Sequence, residues 1–112
     1  MKISLISPIS VLFLPVFIVT IELIKKRINT ENYRLTMACF EQCVERRLAP
    51  KDLREAILAG AIIETYAEDK YGPGCLICGR TASGRTLHVQ IAFDPVLLIT
   101  AYDPTTGRQP PV

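Results

Sequence analysis

The sequence predicts an α+β domain in which N-terminal helices pack on a four-stranded, mainly antiparallel β-meander. Three observations predict it. Up to Gly60 the apolar residues recur three and four positions apart, and after Gly60 they recur at every second position. The extended segments that follow are joined by links too short for a crossover, which favours antiparallel neighbours. One of them alternates strictly, with Leu87, Val89, Ile91 and Phe93 on one side and Thr86, His88 and Gln90 on the other. Such a strand packs one face on a core, and the preceding helices supply the cover.

Residues 3–21 carry no charge, and Lys25, Lys26 and Arg27 follow shortly after. The stretch reads in three ways. It is near the minimum length for a membrane anchor, whose basic flank would keep the domain in the cytoplasm. Pro8, Pro15 and the serines at 4, 7 and 10 stand against that. A cleaved export signal fits worse, with only Lys2 before the apolar run and no Ala-x-Ala site after it. The third reading is non-native sequence translated from upstream of the true start. A membrane contact is expected only if the segment is a genuine anchor; otherwise the expected location is cytoplasmic.

From Ile18 the spacing of Ile18, Ile21, Ile24 and Ile28 predicts an amphipathic helix ending near Asn29. Thr30, Glu31 and Asn32 form a turn. Thr36 caps a second helix through Arg47, with Met37, Phe40, Val44 and Leu48 as its buried stripe. Pro50 opens a third helix that Gly60 stops, turning Leu53, Ala56 and Ile57 to the core. Strands are expected over residues 61–66, 75–80, 85–93 and 96–102, the second apolar on both faces as a central strand should be. From Asp103 onward the chain reads as loose. The organisation is thus an apolar segment at 1–17, one domain at 18–104 and a flexible tail at 105–112.

A chain of 112 residues makes one domain with a modest core. A net charge of +2 is too small to argue nucleic-acid binding, so any basic footprint must be local. Cys39 and Cys43 share a helix face, and Cys75-x-x-Cys78 has a familiar ligand spacing. Inside a continuous strand, however, that spacing puts the two sulfurs on opposite faces. It also lacks the helix start that a redox pair needs. Buried, reduced thiols are the expectation, with no metal and no cofactor.

His88, the only histidine, faces the polar side of its strand. Neighbouring strands bring Glu64 with Tyr66, and Thr100 with Tyr102, in matching alternation. Arg80 and Arg85 flank the hairpin turn, while Lys70 and Tyr71 precede the second strand. A lone strand histidine is commonly structural or merely exposed. These groups together nevertheless supply the parts for metal-independent RNA cleavage: a base, an acid and cationic donors for the phosphorane. The candidate site residues are therefore His88, Arg85, Arg80, Lys70 and Tyr102.

Several blocks carry a resemblance. They are Leu35-Thr36, Glu45-Arg46, Ile62-Ile63-Glu64-x-Tyr66, Asp69-Lys70-Tyr71-x-Pro73-x-Cys75-Leu76-Ile77-x-Gly79, Gly84-Arg85-x-Leu87-His88-Val89 and Ile99-Thr100-x-Tyr102-x-Pro104. From about Ile18 to Pro104 the chain resembles the bacterial domain-of-unknown-function family numbered 4258. The resemblance implies a fold shared with RelE-like and barnase-like ribonucleases, and a toxin-like protein of a toxin–antitoxin pair. The implied partners are RNA and a small zinc-finger antitoxin-like protein. Two departures stand out. Ala38-Cys39 occupies the place of a His-Ala pair in many members, and the N-terminal apolar segment is one that members usually lack, which favours the start-site reading. The alternative to an RNA-cleaving enzyme is a non-catalytic module that keeps the fold and binds a protein through its sheet or second helix.

Overall fold

The computed structural model describes residues 21–67, 70–93 and 95–106; the readings of residues 3–20 and of the last six residues lie outside them. Residues 21–29 are helical (α1). Strand β1 (Arg34–Leu35) leads into helices α2 (Met37–Arg46) and α3 (Pro50–Ala59). Strands β2 (Ala61–Tyr66), β3 (Gly74–Arg80), β4 (Thr86–Ala92) and β5 (Leu97–Tyr102) follow, and a 3-10 turn at Pro104–Thr106 closes the described chain. The sheet order is β1-β5-β4-β3-β2, with β2 to β5 an antiparallel meander and β1 parallel to β5. Among the described residues no helix is long and apolar enough to cross a membrane.

The meander agrees with the sequence reading, but the sheet has five strands rather than four. The fifth, β1, is only two residues long, too short for a periodic signal. It exists because Arg34 N–H bonds to Val96 C=O at 3.2 Å and Thr36 N–H to Leu98 C=O at 3.0 Å. Both are pairings across the whole length of the domain.

The core lies between the sheet and the helices. Ile24 and Ile28 of α1, Leu53, Ala56 and Ile57 of α3, and Ile77, Leu87, Val89, Ile91 and Leu98 of the sheet close it. Helix α2 departs from expectation. Met37, Phe40 and Val44 are exposed, and Cys39 and Cys43 are the buried face, with Leu48 beyond the helix. Two apolar stripes compete on this helix, and polar contacts decide between them. The Thr36 hydroxyl accepts from Cys39 N–H at 3.1 Å and donates to Ile99 C=O at 3.3 Å, which locks the start of the helix to β5. Further along, Arg46 donates to Ala101 C=O at 2.7 Å, and Gln42 accepts from Ala101 N–H at 3.4 Å. Beyond β1 these side chains stand in for a neighbouring strand at the edge of β5, a common defence of sheet edges. With that side tied to the edge, only the cysteine face can turn inward.

Helix α3 begins as expected, with Pro50 in its first turn and Asp52 accepting from Ala49 N–H at 2.8 Å. Gly60 ends it for a different reason than the usual left-handed cap. Its backbone is extended, and an added Cβ would lie 2.7 Å from Cys78 C=O and 2.6 Å from Ala56 C=O. Gly79 is tighter still, since a Cβ there would run into Ala56 C=O. The two glycines let α3 lie directly on β3.

Asp103, read from sequence as the start of a loose tail, is buried instead. Its carboxylate accepts from Thr105 N–H at 2.8 Å and from Arg85 Nε at 3.1 Å.

Candidate functional site

Register builds the site. Cys78 pairs with His88, and His88 with Tyr102, so these three side chains form a row on the sheet face away from α2 and α3. The next row holds Glu64, Leu76, Gln90 and Thr100. Irregularities at Ile63 in β2 and Ile99 in β5 shift the outer strands by one residue, which keeps Glu64 and Tyr102 on this side. The polar face read from alternation is thus assembled as expected: Leu87, Val89 and Ile91 are fully buried while His88 is half-buried.

His88 Nδ1 lies 3.1 Å from the Tyr102 hydroxyl, with the rings edge to face and centroids 5.2 Å apart. The Tyr66 hydroxyl donates to the Glu64 carboxylate at 2.7 Å. Burial raises the Tyr102 phenol above its usual range, and the Glu64 carboxylate and Cys78 thiol raise it further. Burial, then the bond to Glu64, does the same for Tyr66. Both phenols therefore stay protonated at neutral pH. A phenol both donates and accepts, so Tyr102 supports either imidazole tautomer. With Nδ1–H donating to Tyr102, Nε2 offers a lone pair; with the phenol donating to Nδ1, Nε2 carries the proton. Among the described residues Nε2 has no hydrogen-bond partner. The arrangement is a histidine held at Nδ1 with Nε2 left to take or give a proton.

The cationic candidates divide. Arg80 shares the face of His88, one paired position beyond Cys78, and its guanidinium bonds to Gly84 C=O at 3.0 Å across the hairpin turn. Arg85 does not join the site. Alternation places it with Leu87, on the helix side, where it bonds to Asp103 and reaches Arg46 C=O at 3.5 Å at the end of α2. The same alternation that exposed His88 already carried that signal. Lys70 sits in the loop before β3 with its ammonium 5.6 Å from the Tyr71 ring centroid. That loop joins β3 at Gly74, four positions from Cys78 and hence roughly 13 Å along the strand. Of the five candidates, the fold brings His88 and Tyr102 into contact and sets Arg80 nearby. Ala38 is exposed on α2.

The cysteines do not form a cluster. Cys75 points into the core, where burial pushes its thiol up to about 12, whereas Cys78 points to the polar face. Cys39 is held protonated by its bond to Cys43 and by burial. Among the described residues no group of three or more His, Cys, Asp or Glu side chains could hold a metal ion. Cys78 is the neighbour of His88 that sequence reasoning missed, because only strand register pairs the two.

The family model described as "Domain of unknown function (DUF4258)" matches residues 35–103. This chain belongs to the DUF4258 family. The match begins at the second residue of β1 and ends at Asp103, so in this DUF4258 chain it takes in α2, α3, the whole meander and the His88–Tyr102 pair. It omits α1, although Ile24 and Ile28 are fully buried in the core. No curated protein and no solved structure matches the chain.

Proposed function

We propose that this DUF4258 chain is a toxin-like endoribonuclease whose working group is His88. The observation that carries the reading is the His88–Tyr102 contact at 3.1 Å on a polar sheet face, which leaves Nε2 without a hydrogen-bond partner among the described residues. A ribose 2′-hydroxyl gives its proton to Nε2, the oxygen attacks the adjacent phosphorus, and the 5′-oxygen leaves with a proton from the imidazole. Tyr102 holds the ring through both stages by accepting from Nδ1–H throughout, so that only Nε2 gains and loses the proton. Arg80 supplies positive charge to the phosphorane. Arg85 and Asp103 keep the hairpin and the end of β5 in register rather than meeting substrate. The grouping with RelE-like and barnase-like ribonucleases that the DUF4258 resemblance implies points the same way.

The test compares the wild type with His88→Ala and Tyr102→Phe on a mixed RNA pool and in growth arrest on expression. His88→Ala should lower cleavage roughly a hundredfold or more while leaving thermal stability close to wild type. Tyr102→Phe should lower it less, because the imidazole remains. A wild type that neither cuts RNA nor arrests growth rejects the reading.

One observation favours the binding-module alternative: Met37, Phe40 and Val44 form an exposed apolar row on α2. In that reading the row takes a small zinc-finger antitoxin-like partner, and Ala38 at the place of the family histidine marks lost catalysis. Complex formation abolished by Phe40→Ser, with no RNA cleavage by the wild type, supports it over the enzyme.

A further inference from the structure

We propose that the groove between β1 and the start of α3 is a binding site for a phosphate group, separate from the His88 face. The groove encloses about 510 Å³, and Arg34, Lys51 and Arg54 line it together with Tyr33 and the single carboxylate of Glu31. A second recess of about 250 Å³ adjoins it and shares Lys51 and Arg54. Three cations facing one carboxylate make a local positive field that the small net charge of the whole chain conceals.

Both acids beside these cations are poorly placed to neutralise them. Glu31 is 74% exposed, and its oxygen lies 3.7 Å from Arg54 Nη1, beyond hydrogen-bond range. Glu55 spends its carboxylate on Ala82 N–H at 2.9 Å. Arg54 is the informative residue. Its Nε is shielded from water and has no acceptor, although the side chain as a whole is 34% exposed and lines the groove. A buried donor left so is destabilising, and it shows that the contacts already around Arg54 do not satisfy its guanidinium. An oxyanion entering the groove offers several acceptor oxygens to the exposed part of the side chain, because guanidinium takes phosphate through parallel N–H bonds. Displacing the loose Glu31 contact costs little, since exposed ion pairs at such distance contribute little. Tyr33 adds a phenolic donor, which burial keeps protonated against the opposing pull of Arg54. Leu35 and Pro50 give the groove an apolar wall for whatever carries the phosphate.

Because α3 packs on the helix side of the sheet, this site is remote from His88, and its test is independent of the RNA-cleavage reading. The full chain is titrated by NMR at constant ionic strength with inorganic phosphate, a nucleoside 5′-monophosphate and a non-cleavable 2′-O-methyl oligonucleotide. Saturable shifts confined to residues 31–35 and 50–54, at least tenfold weaker in Arg54→Met and in Lys51→Met but unchanged in His88→Ala, bear the proposal out. The tightest of the three probes then names the source of the phosphate. If Arg54→Met fails to fold, Arg54→Lys replaces it, and a severalfold weakening is expected from loss of the two-pronged contact. Shifts reproduced by equal chloride, shifts centred on the His88 face, or binding indifferent to the Lys51 and Arg54 variants overturn it.

Discussion

A single carboxylate, Asp103, ties together the end of β5, the 3-10 turn and the β3–β4 hairpin through Thr105 and Arg85. Burial alone would raise its pKa, but the hydroxyl and N–H of Thr105 and the Arg85 guanidinium outweigh burial and hold the carboxyl below the usual range. The unfolded chain therefore binds a proton at a higher pH than the folded one. The contribution of Asp103 to stability is fully present above the ordinary carboxylate pKa of ~3.9 and is lost as pH falls through the lower folded value. Asp103→Asn should cost about 1–2 kcal/mol at pH 7, and the difference from wild type should narrow below about pH 4. Urea midpoints of both proteins across that range check this, and parallel curves would count against the assignment. His88 stands at the other extreme. It contributes one hydrogen bond on a half-exposed face, so His88→Ala should cost about 1 kcal/mol or less, measured by the same midpoints.

Among the elements, α3 and α2 make a useful contrast. Helix α3 lies so close to β3 that Gly79 has no room for a methyl group. Gly79→Ala must push the helix off the strand, and the obstacle is the backbone of Ala56 rather than a side chain able to swing aside. A loss of about 3 kcal/mol, at the upper end for overpacking, is expected in chemical denaturation. Helix α2 should behave oppositely on its outer face. Phe40 is 54% exposed, so Phe40→Ser should shift stability by about 0.5–1 kcal/mol at most. Ile57→Ala, at a fully buried position of α3, should cost about 2–5 kcal/mol. A Phe40 variant as damaging as the Ile57 variant would show that α2 is turned the other way in solution.

For the whole molecule, the extent of the folding unit is the open quantity. The family match starts at residue 35, yet Ile24 and Ile28 are buried and β1 seals part of the β5 edge. Deleting residues 1–17 should leave the thermal midpoint within a few degrees of the full chain, because the described core closes around Ile24 and Ile28. Deleting residues 1–35 should lower it severely: it uncovers two isoleucine sites worth about 2–5 kcal/mol each and frees the β5 edge for association. Calorimetry on the two truncations decides the matter. A shorter form that melts with the full chain would show α1 to be dispensable.

The sequence by itself determined what depends on local period. The β2–β5 meander, the α3 core face of Leu53, Ala56 and Ile57, and the outward turn of His88 from Leu87 and Val89 are all written in spacings of two or of three and four. Tertiary structure decided what depends on partners far along the chain. The two-residue β1 exists only because β5 offers it backbone groups some sixty residues away. The choice between the two apolar stripes of α2 rests on Gln42 and Arg46 reaching Ala101, a contact no helical period encodes. Cys78 meets His88 only once β3 and β4 are in register, and Arg54 faces Glu31 and Tyr33 only after α3 has docked. Period records which way a side chain points, whereas what it meets there depends on chain closure, whose energetics lie in residues distant in sequence.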